Sequence, residues 1–131
     1  MDSITVRVPV VIKAKLTEKL KVRMIDEFTK MAEQMDLEIK QINLDRQREL
    51  DAHPDQSDQI NRFFGNEAGM RQQRQAEALQ RVEMLKKLAL GAEIVQGNLE
   101  RQIELKVGDN FREAMNVEVL VEDDKVIAIR G

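Results

Sequence analysis

The chain has no cysteine, no tryptophan and no tyrosine, and one histidine in 131 residues. Lack of cysteine excludes a disulfide framework, thiol chemistry and cysteine-ligated zinc, and a lone His53 cannot build a histidine cluster. Aromatics amount to 3%, all of them phenylalanine: Phe28, Phe63, Phe64 and Phe111. The stacking platforms that read single-stranded RNA are therefore nearly missing. Ser3 and Ser57 are the only serines, and neither sits in a glycine-elbow context, which argues against a nucleophilic triad. Gly65, Gly69, Gly91, Gly97 and Gly108 are scattered and none leads into Lys-Ser or Lys-Thr, so no phosphate loop is written in the sequence. No apolar run is long enough for a signal peptide or a membrane span. Glu122, Asp123 and Asp124 read as a solvated turn rather than a cation site. These absences lead to the expectation of a cytoplasmic, non-enzymatic protein with no cofactor, no metal and no membrane association.

What the chain does have is charge and aliphatic surface. Charged residues make up 34% and hydrophobic ones 42%, too apolar a balance for wholesale disorder, and the length suits one domain. The net charge of −3 is unevenly placed: residues 1–23 carry +4, 24–70 carry −6, 71–91 carry +3 and 92–131 carry −4. An acidic total disfavours general nucleic-acid binding, although a local basic strip can still meet phosphate.

Ile4, Val6, Val8, Val10, Ile12 and Ala14 alternate with their neighbours at period two, which predicts an N-terminal strand over residues 1–16. Pro9 cannot donate to a ladder, so the strand is expected to be peripheral or bent there. Thr17 suits a helix N-cap, and Ile25, Phe28, Ala32, Met35, Ile39 and Ile42 then recur at spacings of three and four. That pattern predicts a helix from about residue 18 to 50. His53, Pro54, Asp55 and Ser57 break it, and a second helix is expected from about 58 to 90, closed by Gly91. Acid-before-base pairs four residues apart, such as Asp26/Lys30 and Asp36/Lys40, mark solvated helix faces. After residue 92 the period returns to two, giving three more strands, the first bent near Gly97. Gly108, Asp109 and Asn110 suit a turn that caps a short helix over Phe111 to Met115, and Asp123-Asp124 suits a tight hairpin. The expected fold is α+β: a small antiparallel β domain, one N-terminal strand plus three C-terminal ones, with a long antiparallel coiled-coil hairpin inserted at 17–91.

The segment Leu90-Gly91-Ala92-Glu93-Ile94, followed by Glu100, Lys106-Val107-Gly108-Asp109 and Met115, resembles the YlqD family of bacterial proteins. The layout, a strand leading into a long charged helical region and then a β segment, is similar to that family's over most of the chain. The resemblance implies no catalytic residues, because the family has no established activity; a suspected link to ribosome maturation is what it lends to an RNA-directed reading.

Function follows from helix length. A helix of about 33 residues spans roughly 50 Å and outreaches a small β domain, so apolar side chains far along it need the other helix or another chain. Folding back at His53 sets Ile25 near Val82 and Phe28 near Leu79, but Ala32 near Gln75 and Met35 near Arg71 or Gln72. Polar residues there seal the seam poorly, and the adaptable stripe of Met24, Phe28, Met31 and Met35 is free for a second protomer. Phe63-Phe64, the one aromatic pair, reads either as a grip for a partner protein or as rings packed within an oligomer. The leading expectation is a homo-oligomeric interaction protein using Met24, Met31, Met35, Phe63 and Phe64. The alternative is an RNA- or ribosome-associated factor whose Arg71, Arg74, Arg81, Lys86 and Lys87 contact phosphate, together with Lys13, Lys15, Lys19 and Lys21.

Overall fold

The computed structural model describes residues 1–131. Its elements run β1 (Ser3–Lys15), α1 (Glu18–Ala52), a 3-10 turn (Pro54–Gln56), α2 (Ser57–Lys87), β2 (Glu93–Lys106), α3 (Phe111–Met115), β3 (Val117–Glu122) and β4 (Lys125–Arg130). They divide into a β unit, Met1–Leu20 with Leu88–Gly131, and a helical unit, Lys21–Lys87.

In the β unit the period-two pattern yields one four-stranded sheet in the order β2-β1-β3-β4. β1 and β2 pair antiparallel from Ser3↔Lys106 to Lys15↔Glu93, with a register shift between Ile12, opposite Gly97, and Lys13, opposite Val95. The bend expected near Gly97 is this irregularity. β3 and β4 form the expected hairpin, and Asp123 and Asp124 both take positive φ, the backbone of a two-residue type I′ turn.

One detail corrects the sequence reading. β1 and β3 pair parallel, from Val10↔Val117 to Ala14↔Val121, so the sheet is mixed rather than wholly antiparallel. β2 reverses β1 and β3 reverses β2, but β3 docks on the open side of β1 instead of beside β2. That placement also makes β1 internal, not peripheral. Pro9 is tolerated because it precedes the first β3 pairing by one residue, so it lies where β2 is the sole neighbour.

The sheet's core is Val8, Val10, Ala14, Leu16 and Leu120, all buried. Leu16 is only 1% exposed, and its backbone clamps the β1 and β2 ends: its amide donates to the Ala92 carbonyl and its carbonyl accepts from Gly91. Gly91 has φ +91, a conformation that disfavours any side chain. It therefore shapes the turn into β2 rather than capping α2, which ends at Lys87, three residues before the expected boundary. α3 sits where expected, its N-cap Asn110 accepting from the Glu113 amide at 3.0 Å. Arg101 donates to the Ala114 carbonyl and ties this helix to the sheet. Leu99 and Ile129 remain exposed.

Thr17, in the loop before α1, caps that helix by accepting from the Leu20 amide. α1 has 35 residues and α2 has 31, so each is roughly 45–55 Å long. α2 runs without interruption through Gly65 and Gly69. Asp26–Lys30 and Asp36–Lys40 are ion pairs on the outside of α1, as their spacing implies. No helix is long and apolar enough to cross a membrane.

Candidate functional site

The two long helices run antiparallel, and two contacts set their register. Lys21 donates to the Lys86 carbonyl at 3.2 Å and Gln75 donates to the Ala32 carbonyl at 3.3 Å. The step between them is eleven residues on each helix, which is the register expected from folding at His53. Along α2 the positions turned inward are Ile60, Phe64, Ala68, Arg71, Gln75, Ala78, Val82 and Leu85, a run of threes and fours. Along α1 they include Ile25, Phe28, Ala32, Met35, Ile39 and Ile42. The seam is aliphatic at its open end, where Val82 and Leu85 are buried, and polar at mid-length, where Gln75 and Arg71 face Ala32 and Met35.

Arg71 shows what polarity costs there. It is half-buried, bonds Glu67 on its own helix, and leaves its Nε without a hydrogen bond. Glu38 Oε2 and Arg46 Nε are likewise shielded and unpartnered. Sequence reasoning passed over Glu38 and Arg46 because neither lies on an apolar position; only the fold shows that their neighbours cover them.

A hairpin has two sides, and contacts assign residues to each. Arg81 lies over the Phe28 ring, and Glu49, Gln59, Ile60, Phe63 and Phe64 surround a recess near the tip. Helical periodicity places Met24, Met31, Met35, Glu38 and Ile42 on the same side of α1 as Phe28, and Met70 and Arg74 on the same side of α2 as Phe63 and Arg81. This is the methionine side. Met31 is 47% exposed, Met70 48% and Phe63 59%, while Met24, Met35 and Phe64 are half-buried. Phe63 and Phe64 meet edge to face, with centroids 5.1 Å apart. The other side holds a recess of about 530 Å³ lined by Thr29, Ala32, Glu33, Asp36, Leu37, Gln75 and Leu79, with two carboxylates on it.

Of the five residues singled out for partner contact, Met24, Met31, Met35 and Phe63 thus fall on one side, where Met70 joins them, while Phe64 turns toward the seam beside Phe63. Met70 was missed because it lies off the inward run of α2. The five basic residues are not gathered in the same way. Arg71 turns inward to Glu67, Arg81 covers Phe28, Lys86 pairs with Glu83, and Lys87 points away from Arg74 and Arg81 on the helix. No three acidic or histidine side chains converge in a metal-binding arrangement.

Chemically, this side offers thioethers, phenyl rings and a few separated charges. Such surfaces supply area and adaptability. Titration is perturbed elsewhere: on the sheet, Glu93 is held below the usual carboxylate range by its hydrogen bonds to Arg130, which join the two edge strands.

The family model described as YlqD protein matches residues 4–130. None of the curated proteins matches the chain. A crystal structure of a protein of unknown function from Synechococcus sp. WH 8102 is similar over 100% of both chains, with a TM-score of 0.91 and 22% identity. At that identity the likeness shows the shared fold.

Proposed function

The chain belongs to the YlqD family, and on that footing we propose that it is a non-catalytic interaction protein whose coiled-coil hairpin is its contact surface, joining copies of the chain and, through them, a protein partner. The observation that carries this reading is the methionine side. Met31, Met70 and Phe63 lie along one side of a rod whose inward seam is already occupied at mid-length by Gln75 and Arg71. An apolar row that its own hairpin leaves uncovered gains by burial against another chain, at about 25 cal/mol per Å² removed from water. Methionine suits such contacts because its unbranched thioether adapts to the surface it meets.

The proposal includes a cytoplasmic setting, since small exported domains commonly rely on disulfides and this chain has no cysteine. It also favours protein over RNA as the ligand. Of the five cations considered for phosphate, Arg71 and Lys86 are already engaged by Glu67 and Glu83, and Lys87 points away from Arg74 and Arg81.

Sedimentation of nuclease-treated protein at micromolar concentration tests the reading. A species heavier than the 15.1 kDa chain is expected. Monomer alone overturns it. An RNA-binding protein would instead bind labelled RNA with an affinity that collapses between low and moderate salt.

A further inference from the structure

Charge is distributed along the hairpin in a way that selects one mode of pairing. Residues 36–70, the tip half, carry eight acidic and four basic side chains. Residues 21–35 and 71–87, the open half, carry eight basic and five acidic ones. Two hairpins laid side by side in the same direction would set tip on tip and oppose like charges. Laid in opposite directions, each acidic tip meets a basic open end.

Resting on the proposed self-association, we infer that the methionine side is the seat of a second copy of this chain, docked head to tail about a two-fold axis at the level of Met35 and Met70. The register of the hairpin makes this specific. Since Ala32 lies opposite Gln75, Met70 lies at the level of residue 37, Phe63 at 44, Arg74 at 33 and Arg81 at 26. A two-fold axis across the rods near level 36 lays α1 on the partner's α1 and α2 on the partner's α2, bringing Met31 to the partner's Ile42 and Met70 to the partner's Met70. The same operation sets Arg74 beside the partner's Glu67 and Arg81 near the level of the partner's Glu49. Aliphatic meets aliphatic, each arginine lies near a carboxylate, and symmetry repeats every pairing. The opposite side lacks this match, because a second copy there would add carboxylates to those of Glu33 and Asp36.

The chain's lack of cysteine makes the test clean. Arg81→Cys and Glu49→Cys proteins are prepared separately, checked for native helicity by circular dichroism, mixed, and treated with a short bis-maleimide. Head-to-tail pairing is expected to join the two variants to each other and neither to itself. Self-linking of each variant would show parallel pairing and overturn the inference. A sedimenting dimer with no cross-link overturns the orientation while leaving self-association intact, as would occur if copies met through the exposed Leu99 and Ile129 of the sheet. A wild type that sediments only as monomer overturns both. As a second arm, Met31→Glu is expected to weaken association about tenfold, and adding Ile42→Lys in the same chain to restore it to within about threefold. Failure of the restored pair to recover contradicts the assignment.

Discussion

The guanidinium of Arg81 lies 5.6 Å from the centroid of the Phe28 ring, joining the two long helices on the side that also carries Met31 and Phe63. A cation over an aromatic face is worth about 0.5–1 kcal/mol at a partly exposed site. Arg81→Met, which keeps length and loses charge, is therefore expected to destabilise the hairpin by about that amount in urea unfolding. Phe28→Leu should cost a similar amount, and combining the two should cost less than their sum, because both remove one contact.

The aliphatic end of the seam is expected to dominate helical stability. Leu85 and Val82 are buried, whereas Gln75 and Arg71 occupy the seam further out. Leu85→Ala should cost about 2–4 kcal/mol, the usual range for a buried leucine that leaves a cavity. Met84→Ala on the exposed side should change stability by about 0.5 kcal/mol or less. Equal effects of the two substitutions would contradict the seam assignment.

At the β3–β4 turn, Asp123 and Asp124 both adopt left-handed backbone, at φ 46° and φ 69°. Asp123 is held by a 2.7 Å hydrogen bond from Thr17, so its side chain has a task. No hydrogen bond is seen for Asp124. Asp124→Gly is expected to raise stability by about 0.5–1 kcal/mol, since glycine reaches positive φ without strain, while Asp123→Gly should gain nothing because it sacrifices the Thr17 contact.

Much of this fold was legible because its signals are local. Period two marked every strand, threes and fours marked α1, and Asn110 and the Asp123-Asp124 pair marked the α3 cap and the last turn. Strand order was not legible, since nothing near Val117 states that it will pair with Val10 instead of with β2. Pro9 pointed to a sheet edge, and the true answer depended on where β3 happens to begin. For the candidate site, Met24, Met31, Met35, Phe63 and Phe64 were proposed from apolarity alone. Met70 and Glu49 gain meaning only when two helices are set in register.

Ionisation adds a prediction for the β unit. Arg130 lowers the pKa of Glu93 through their hydrogen bonds, so the pair stabilises the folded state above the ordinary carboxylate range. That contribution fades as pH falls through the lowered pKa. Glu93→Gln should therefore melt lower than wild type at neutral pH and converge with it under strong acid. Both side chains are partly exposed, so high salt should narrow the neutral-pH difference. A gap that widens on acidification would contradict this.

The methionine side is proposed to be covered by another copy of the chain. Sedimentation equilibrium of the Met31→Glu, Met70→Glu double variant beside wild type is the most direct test, with helicity confirming that both are folded. Wild type is expected to associate at micromolar concentration and the variant to sediment as a 15.1 kDa monomer. A folded variant that associates as strongly as wild type would contradict the account.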